Sequence, residues 1–310
     1  METRSNLPFT PPVPAPQLLP AEARLGAVHL DVTDGERART FWTQYVGLTE
    51  LPSTGEGIRL GVGDDEMVVL HPGASGAVVP RHTGLYHVAI HLPTQKELAR
   101  VVARLFGLRW PNSPTDHAET MATYFSDPDG NGIELTFETP ERGSLQTGDG
   151  QGIAIMADGS TQPPTAALDI DMLMSVLTND DDLMAPMPSG TRIGHVHLHV
   201  TDLEGARRFF RDVIGFGDLR AMDAWGMSDL SLETSYVPHA LAVNIWNGPQ
   251  ATAKPEETSG LRAWSLIVPG SADLDAIAER LSGANREFRR EENRLIVQDP
   301  FFNTLQIAVS

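Results

Sequence analysis

At 310 residues, with 41% hydrophobic content, the chain is long enough for two domains with proper cores and has the make-up of an ordinary globular protein. A formal charge of -18 at pH 7 argues against a nucleic-acid partner, whose phosphates need a basic surface, and favours a small-molecule one. The absence of cysteine excludes disulfides, thiolate catalysis and Cys-ligated zinc or iron–sulfur centres, which leaves His, Asp and Glu as metal ligands.

In chain order, residues 1-23 carry Pro8, Pro11, Pro12, Pro14, Pro16 and Pro20 without an amphipathic period, and are expected to form an extended tail. A strand follows over 25-32, then a helix from Asp34 to Val46 with Phe41 and Tyr45 four apart, then short strands ending at His71. The next unit has a strand over 85-92 and a helix over Gln95 to Leu105, with Leu98, Val101, Val102 and Leu105 on one face. Strands at 122-125 and 132-138 complete it, joined by the hairpin turn Asp129-Gly-Asn-Gly132. Residues 141-190, rich in Gly, Ser, Thr and Pro, break the pattern and read as a connector with one or two helical turns near Leu168 to Leu177. A third unit begins at Ile193, with a helix over 203-214 and a strand around Ala240 to Trp246. A fourth begins at Leu261, with a helix over Ala272 to Leu281 and a final strand over 304-309. The domains are thus expected at 24-140 and 191-310, two units in each. No run approaches the ~20 apolar residues of a membrane span, and the N-terminus lacks the apolar core of a secretory signal, so a cytoplasmic protein without a membrane partner is expected.

The four units are copies of one repeat, opening at Leu25-Gly-Ala-Val-His, Leu85-Tyr-His-Val-Ala, Ile193-Gly-His-Val-His and Leu261-Arg-Ala-Trp-Ser. At the third position stand Ala27, His87, His195 and Ala263. A carboxylate follows the same partition: Asp127-Pro-Asp-Gly-Asn-Gly-Ile-Glu134 closes the second copy, whereas Asp299-Pro-Phe-Phe-Asn-Thr-Leu-Gln306 closes the fourth with an amide. Strand alternation puts His195, His197 and His199 on one face, with Val196, Leu198 and Val200 on the other, and it groups His87, Ala89 and His91 in the same way. His87, Glu134 and His195 would make a facial triad suited to Fe(II), provided copies two and three face each other. Consecutive pairing would complete neither cup. Pairing two with three and one with four gives one full metal cup and one blank barrel, and the 141-190 connector has the reach for it.

The motifs Gly194-His-Val-His-Leu-His-Val-Thr-Asp202, Ile214-Gly-Phe216, Asp116-His117 and Tyr124-Phe-Ser-Asp-Pro-Asp-Gly-Asn-Gly-Ile-Glu134 resemble the vicinal oxygen chelate (glyoxalase) superfamily across nearly the whole chain outside tail and connector. Within it, the chain looks most like ring-cleaving extradiol dioxygenases of the catechol 2,3-dioxygenase type. The resemblance implies an α+β fold of four βαβββ modules forming two curved-sheet barrels. It implies a metal held by His87, His195 and Glu134, with His239 as acid–base residue and His117 and Tyr124 as pocket partners. The order of modules departs from the family's usual layout, in which both metal modules lie in the C-terminal half.

The implied reaction is Fe(II)-dependent ring cleavage of an aromatic diol with O2, Mn(II) being a possible replacement. Three ligands on one face leave positions for a bidentate diol and dioxygen. Proton movement suits a histidine, the residue type whose ordinary pKa lies closest to neutrality; the resemblance gives that place to His239, and Asp116 is a candidate for orienting the ring from behind the first ligands. His197 and His199 read as cavity lining, and His29, His71 and His91 as structural. Two other readings share the scaffold: a glyoxalase-like isomerase or lyase, which prefers a four-ligand His/Glu/Gln set, and a non-catalytic binder of a drug or aromatic metabolite. A homo-oligomer is compatible with either.

Overall fold

Alternation along the first strand of each repeat decides where its side chains go, and the computed structural model, which describes residues 17–55, 57–147, 152–233 and 239–310, shows the result. The first repeat runs through strand Arg24–Val32, helix Gly35–Phe41 and strands Thr49–Glu50, Ile58–Val62 and Asp65–Pro72. The second has Gly84–His91, helix Gln95–Gly107, then Ser113–Asp116, Thr120–Ser126 and Gly132–Glu138. The third has Arg192–His199, helix Leu203–Arg207, then Gly217–Met222, Met227–Ser231 and Leu241–Asn244. The fourth has Gly260–Val268, helix Ser271–Gly283, then Phe288–Glu291, Arg294–Gln298 and Thr304–Val309.

Helix starts follow from local chemistry. Asp34, Thr94 and Asp202 each accept a hydrogen bond from a backbone N–H of the first turn, which satisfies a donor the helix itself cannot. Leu98, Val101, Val102 and Leu105 are fully buried, so the apolar stripe read from the sequence is the face that packs on the sheet. In the first and third repeats the helix widens into a π turn, Trp42–Val46 and Arg208–Ile214, each closed by a left-handed glycine, Gly47 or Gly215.

The repeats pair in the crossed manner expected. A nine-stranded sheet holds the second and third: Gly84–His91 lies antiparallel to Arg192–His199 at its centre. An eight-stranded sheet holds the first and fourth, with Arg24–Val32 antiparallel to Gly260–Val268. Both sheets are mixed and curved, with free edges rather than closed barrels. Val88, Ile90, Val196 and Leu198 go to the helix side, which leaves the opposite face of the central strands for the cup.

Residues 141-190 have more structure than a spacer. Gly143–Gln146, Ile153–Met156 and Thr161–Gln162 form a three-stranded sheet. Ala166–Ala167 extends the nine-stranded sheet, and helix Ile170–Met174 buries Leu173. The guanidiniums of Arg100 and Arg104 bind the carbonyls of Leu183, Ala185 and Pro186, which fastens this segment to the second repeat's helix. No residue pattern marks this attachment, because the bonds are made to backbone carbonyls. Of the expected tail, residues 1-16 lie outside the described residues, but Leu19 and Ala23 are buried and the Leu19 N–H donates to the Gly215 carbonyl at 2.8 Å. That part is core, not tail.

Candidate metal centre

The register of the central strands places Ala89 beside Glu134 on one side and opposite His195 on the other. His87, two residues earlier on the same face, therefore meets His195 across the strand pair. The two Nε2 atoms are 3.1 Å apart, and Glu134 Oε2 lies 3.0 Å from that of His195 and 3.1 Å from that of His87. All three residues are buried. They form the one group of three or more His, Asp or Glu side chains with ligand atoms gathered within 4.8 Å among the described residues. Burial drives the His195 pKa well below that of free imidazole, with His239 adding to the effect, so the ring is neutral and its lone pair available.

Support comes from behind. His91 is fully buried, with Nδ1 2.7 Å from Glu138 Oε1 and Nε2 3.3 Å from His195 Nδ1. Glu138 can only accept, so His91 donates from Nδ1 and receives at Nε2. His195 then carries its proton on Nδ1 and presents a bare Nε2 to Glu134 and His87. Gly194 makes this possible: a Cβ there would lie 1.8 Å from His91 Cδ2. Gly132 has a similar duty, since a Cβ would lie 1.9 Å from the Tyr86 carbonyl where the Glu134 strand passes the His87 strand.

In front of the triad opens a cavity of about 610 Å³. His239 enters it with its ring 4.3 Å from that of His195. Asp229 Oδ2 is 3.2 Å from His239 Nδ1 but outside hydrogen-bonding geometry, and among the described residues neither ring nitrogen has a hydrogen-bond partner. His117 Nδ1 is 2.9 Å from the Pro164 carbonyl and must donate to it, which leaves Nε2 to accept from the Tyr124 hydroxyl at 3.0 Å. Burial, reinforced by Glu134, pushes the Tyr124 phenol well above its ordinary value, so it keeps its proton at neutral pH.

All six residues singled out by the sequence thus line one cavity. His197 lines it as expected, receiving Asn244 Nδ2 at its Nε2. Asp116 does not line it: it is held by Arg142 Nη2 at 2.6 Å and caps the Ala118 N–H. Trp225 and Met227, on the 216-236 segment expected to shape the pocket, do line it, whereas the Glu119–Arg220 pair, Asp229, Tyr86 and Trp246 were not foreseen. No spacing rule links residues 119 and 220, which lie in different repeats. His91 was read as structural, and its contact with His195 depends on a bulge in the strand pairing between Ile193 and His195.

Symmetry between the cups is informative. Ala89 and His197 are equivalent in their repeats, and their neighbours on the closing strands are Glu134 and Ala242. The metal cup therefore has an alanine where a fourth ligand would stand. In the other cup the corresponding places hold Ala27, Ala263, Val69 and Gln306, with His29 Nδ1 set 3.1 Å from His71 Nε2 instead. Among the described residues, no helix is long and apolar enough to cross a membrane.

Comparison with known proteins agrees with the fold. The chain is 35% identical over 282 residues to Catechol-2,3-dioxygenase of Bacillus subtilis (strain 168), covering 90% of this chain and 94% of that one. Among solved structures, a candidate dioxygenase from Bacillus subtilis subsp. subtilis str. 168 superposes with a TM-score of 0.59 at 10% identity, covering 95% of this chain and 86% of the other. Glyoxalase I from Zea mays does so with a TM-score of 0.55 at 15% identity, covering 93% and 92%. The family profile matches residues 24–135 and 192–307, one pair of repeats in each stretch, and the chain belongs to the Glyoxalase/Bleomycin resistance protein/Dioxygenase superfamily.

Proposed function

We propose that the protein is an Fe(II)-dependent extradiol dioxygenase that opens the ring of a catechol-type aromatic diol with O2. The observation that carries this reading is the three-ligand cluster of His87, His195 and Glu134, bounded by Ala242 where a fourth ligand would be. A glyoxalase-like reaction favours a four-ligand set, so the alanine weighs against it. The relative of Bacillus subtilis at 35% identity weighs in the same direction.

His87 and His195 through Nε2, with Glu134 through a carboxylate oxygen, are the residues that would hold the metal. When bound, a divalent iron there would supply open positions for both diol and dioxygen. The chain's own groups do the rest. His239, whose ring nitrogens have no hydrogen-bond partner among the described residues, is placed to take a proton from a diol hydroxyl and to return it later. Tyr124, still protonated, and His117 form a linked pair that can orient an oxygen of the substrate. Tyr86, Trp225 and Trp246 exclude water from one side of the ring.

The test is anaerobic reconstitution with Fe(II), followed by metal analysis and catechol-dependent oxygen uptake. The parent should bind one iron per chain and consume oxygen. Glu134→Gln should lose both, and unchanged iron binding in that variant would move the site elsewhere. Mn(II) in the same assay decides the metal.

A further inference from the structure

The cavity wall determines which diols fit. Its described lining holds three carboxylates, Glu119, Glu134 and Asp229, against a single Lys or Arg side chain, Arg220. That guanidinium is already taken: Nη1 and Nη2 lie 2.7 and 2.9 Å from the two carboxylate oxygens of Glu119, and Asp229 Oδ2 is a further 3.9 Å from Nη1. Asp229 itself is 3% exposed and its Oδ1 has no hydrogen-bond partner among the described residues. The internal stretches outside the described residues, 148–151 and 234–238, contain no Lys, Arg or His. His197 Nε2 receives a hydrogen bond from Asn244 Nδ2 at 2.8 Å, so that nitrogen is not offered to an incoming anion. The rest of the lining includes an aromatic and thioether wall, Tyr86, Trp225 and Trp246 with Met222 and Met227.

From this arrangement we infer that the site selects diols whose ring carries no charged substituent, with Glu119 as the specificity residue that withholds Arg220 from an incoming carboxylate. The inference rests on the diol reading above and deepens it. A carboxylate on the ring would have to leave water for a pocket whose described lining has no unpaired Lys or Arg, and would meet Asp229 and Glu119 at close range. An apolar substituent would instead be packed between indole rings and methionines.

The experiment is equilibrium dialysis of the Fe(II)-loaded protein under anaerobic conditions at neutral pH. The probes are catechol and a methylcatechol on one side, protocatechuate and homoprotocatechuate on the other. The parent should bind the uncharged pair about 100-fold more tightly, since like-charge juxtaposition and an unpaired buried anion each cost affinity. Glu119→Gln should release Arg220 and narrow that ratio by roughly tenfold, and adding Arg220→Gln should remove the gain. Equal binding of both pairs by the parent would overturn the inference while leaving the diol reading intact. Binding of neither pair would overturn the diol reading and this inference with it. The parent comparison decides the matter even where a variant does not fold, and circular dichroism reports that separately.

Discussion

At the scale of single residues, the centre depends on side chains that never reach the cavity. Glu138 fixes His91, His91 fixes the tautomer of His195, and the result is a lone pair aimed at Glu134 and His87. Arg192 Nη2 also binds Glu138 Oε1, so the carboxylate is itself held in place. We predict that His91→Leu, which keeps volume but removes the acceptor, will weaken metal binding by roughly 10- to 100-fold, in line with the loss of a partner behind a ligating histidine. Competition for Zn(II) against a chelator measures this without reference to turnover. Affinity within twofold of the parent would show that His195 needs no such support.

At the scale of elements, the same turn is used twice, once under each cup. Asp127 Oδ1 accepts the backbone N–H groups of Asp129 and Asn131, and its Oδ2 accepts Asn131 Nδ2. Asp299 does the same with Phe301, Asn303 and the Asn303 side chain. Either aspartate changed to alanine loses three hydrogen bonds, about 2–3 kcal/mol at roughly 1 kcal/mol each. Only Asp127→Ala should also lower metal affinity, because its turn sets the strand of Glu134, whereas the Asp299 turn sets that of Gln306. Chemical denaturation and metal titration of the two variants separate the effects. Asp299 carries a pH dependence as well. Burial raises its carboxyl from 3.8 to about 6, against hydrogen bonds that lower it. A raised carboxyl favours the folded state at low pH, and that contribution disappears as pH rises through about 6. Between pH 4 and 7 the parent should therefore lose on the order of 3 kcal/mol relative to Asp299→Asn, a loss visible as a diverging pair of denaturation midpoints.

At the scale of the molecule, what the sequence made legible was whatever repeats. The four strand–helix–strand units, the apolar face of helix Gln95–Gly107, and the partition of His87, His195 and Glu134 against Ala27, Ala263 and Gln306 all follow from periodicity in a single chain. Hidden were contacts set by a bulge, by pairing between different repeats and by backbone carbonyls: the His91 link, the Glu119–Arg220 pair and the carbonyl cage around Arg100 and Arg104. The crossed pairing itself gives the most direct test of the architecture. Each large sheet takes one repeat from either side of the connector, so a break after Asn179 divides both sheets down their centres. Residues 1-179 alone would keep His87 and Glu134 but lose His195, and would expose the backbone edges of both Gly84–His91 and Arg24–Val32. Residues 180-310 alone would hold one of the three ligands and expose the matching edges. Unpaired central strands with apolar faces drive aggregation rather than folding. We predict that each fragment produced alone is insoluble or unfolded, and that co-produced fragments assemble one-to-one, elute near the size of the intact protein and bind one Fe(II) per pair. A fragment that folded cooperatively by itself and held iron would mean that consecutive repeats pair, and the cup described above would not exist.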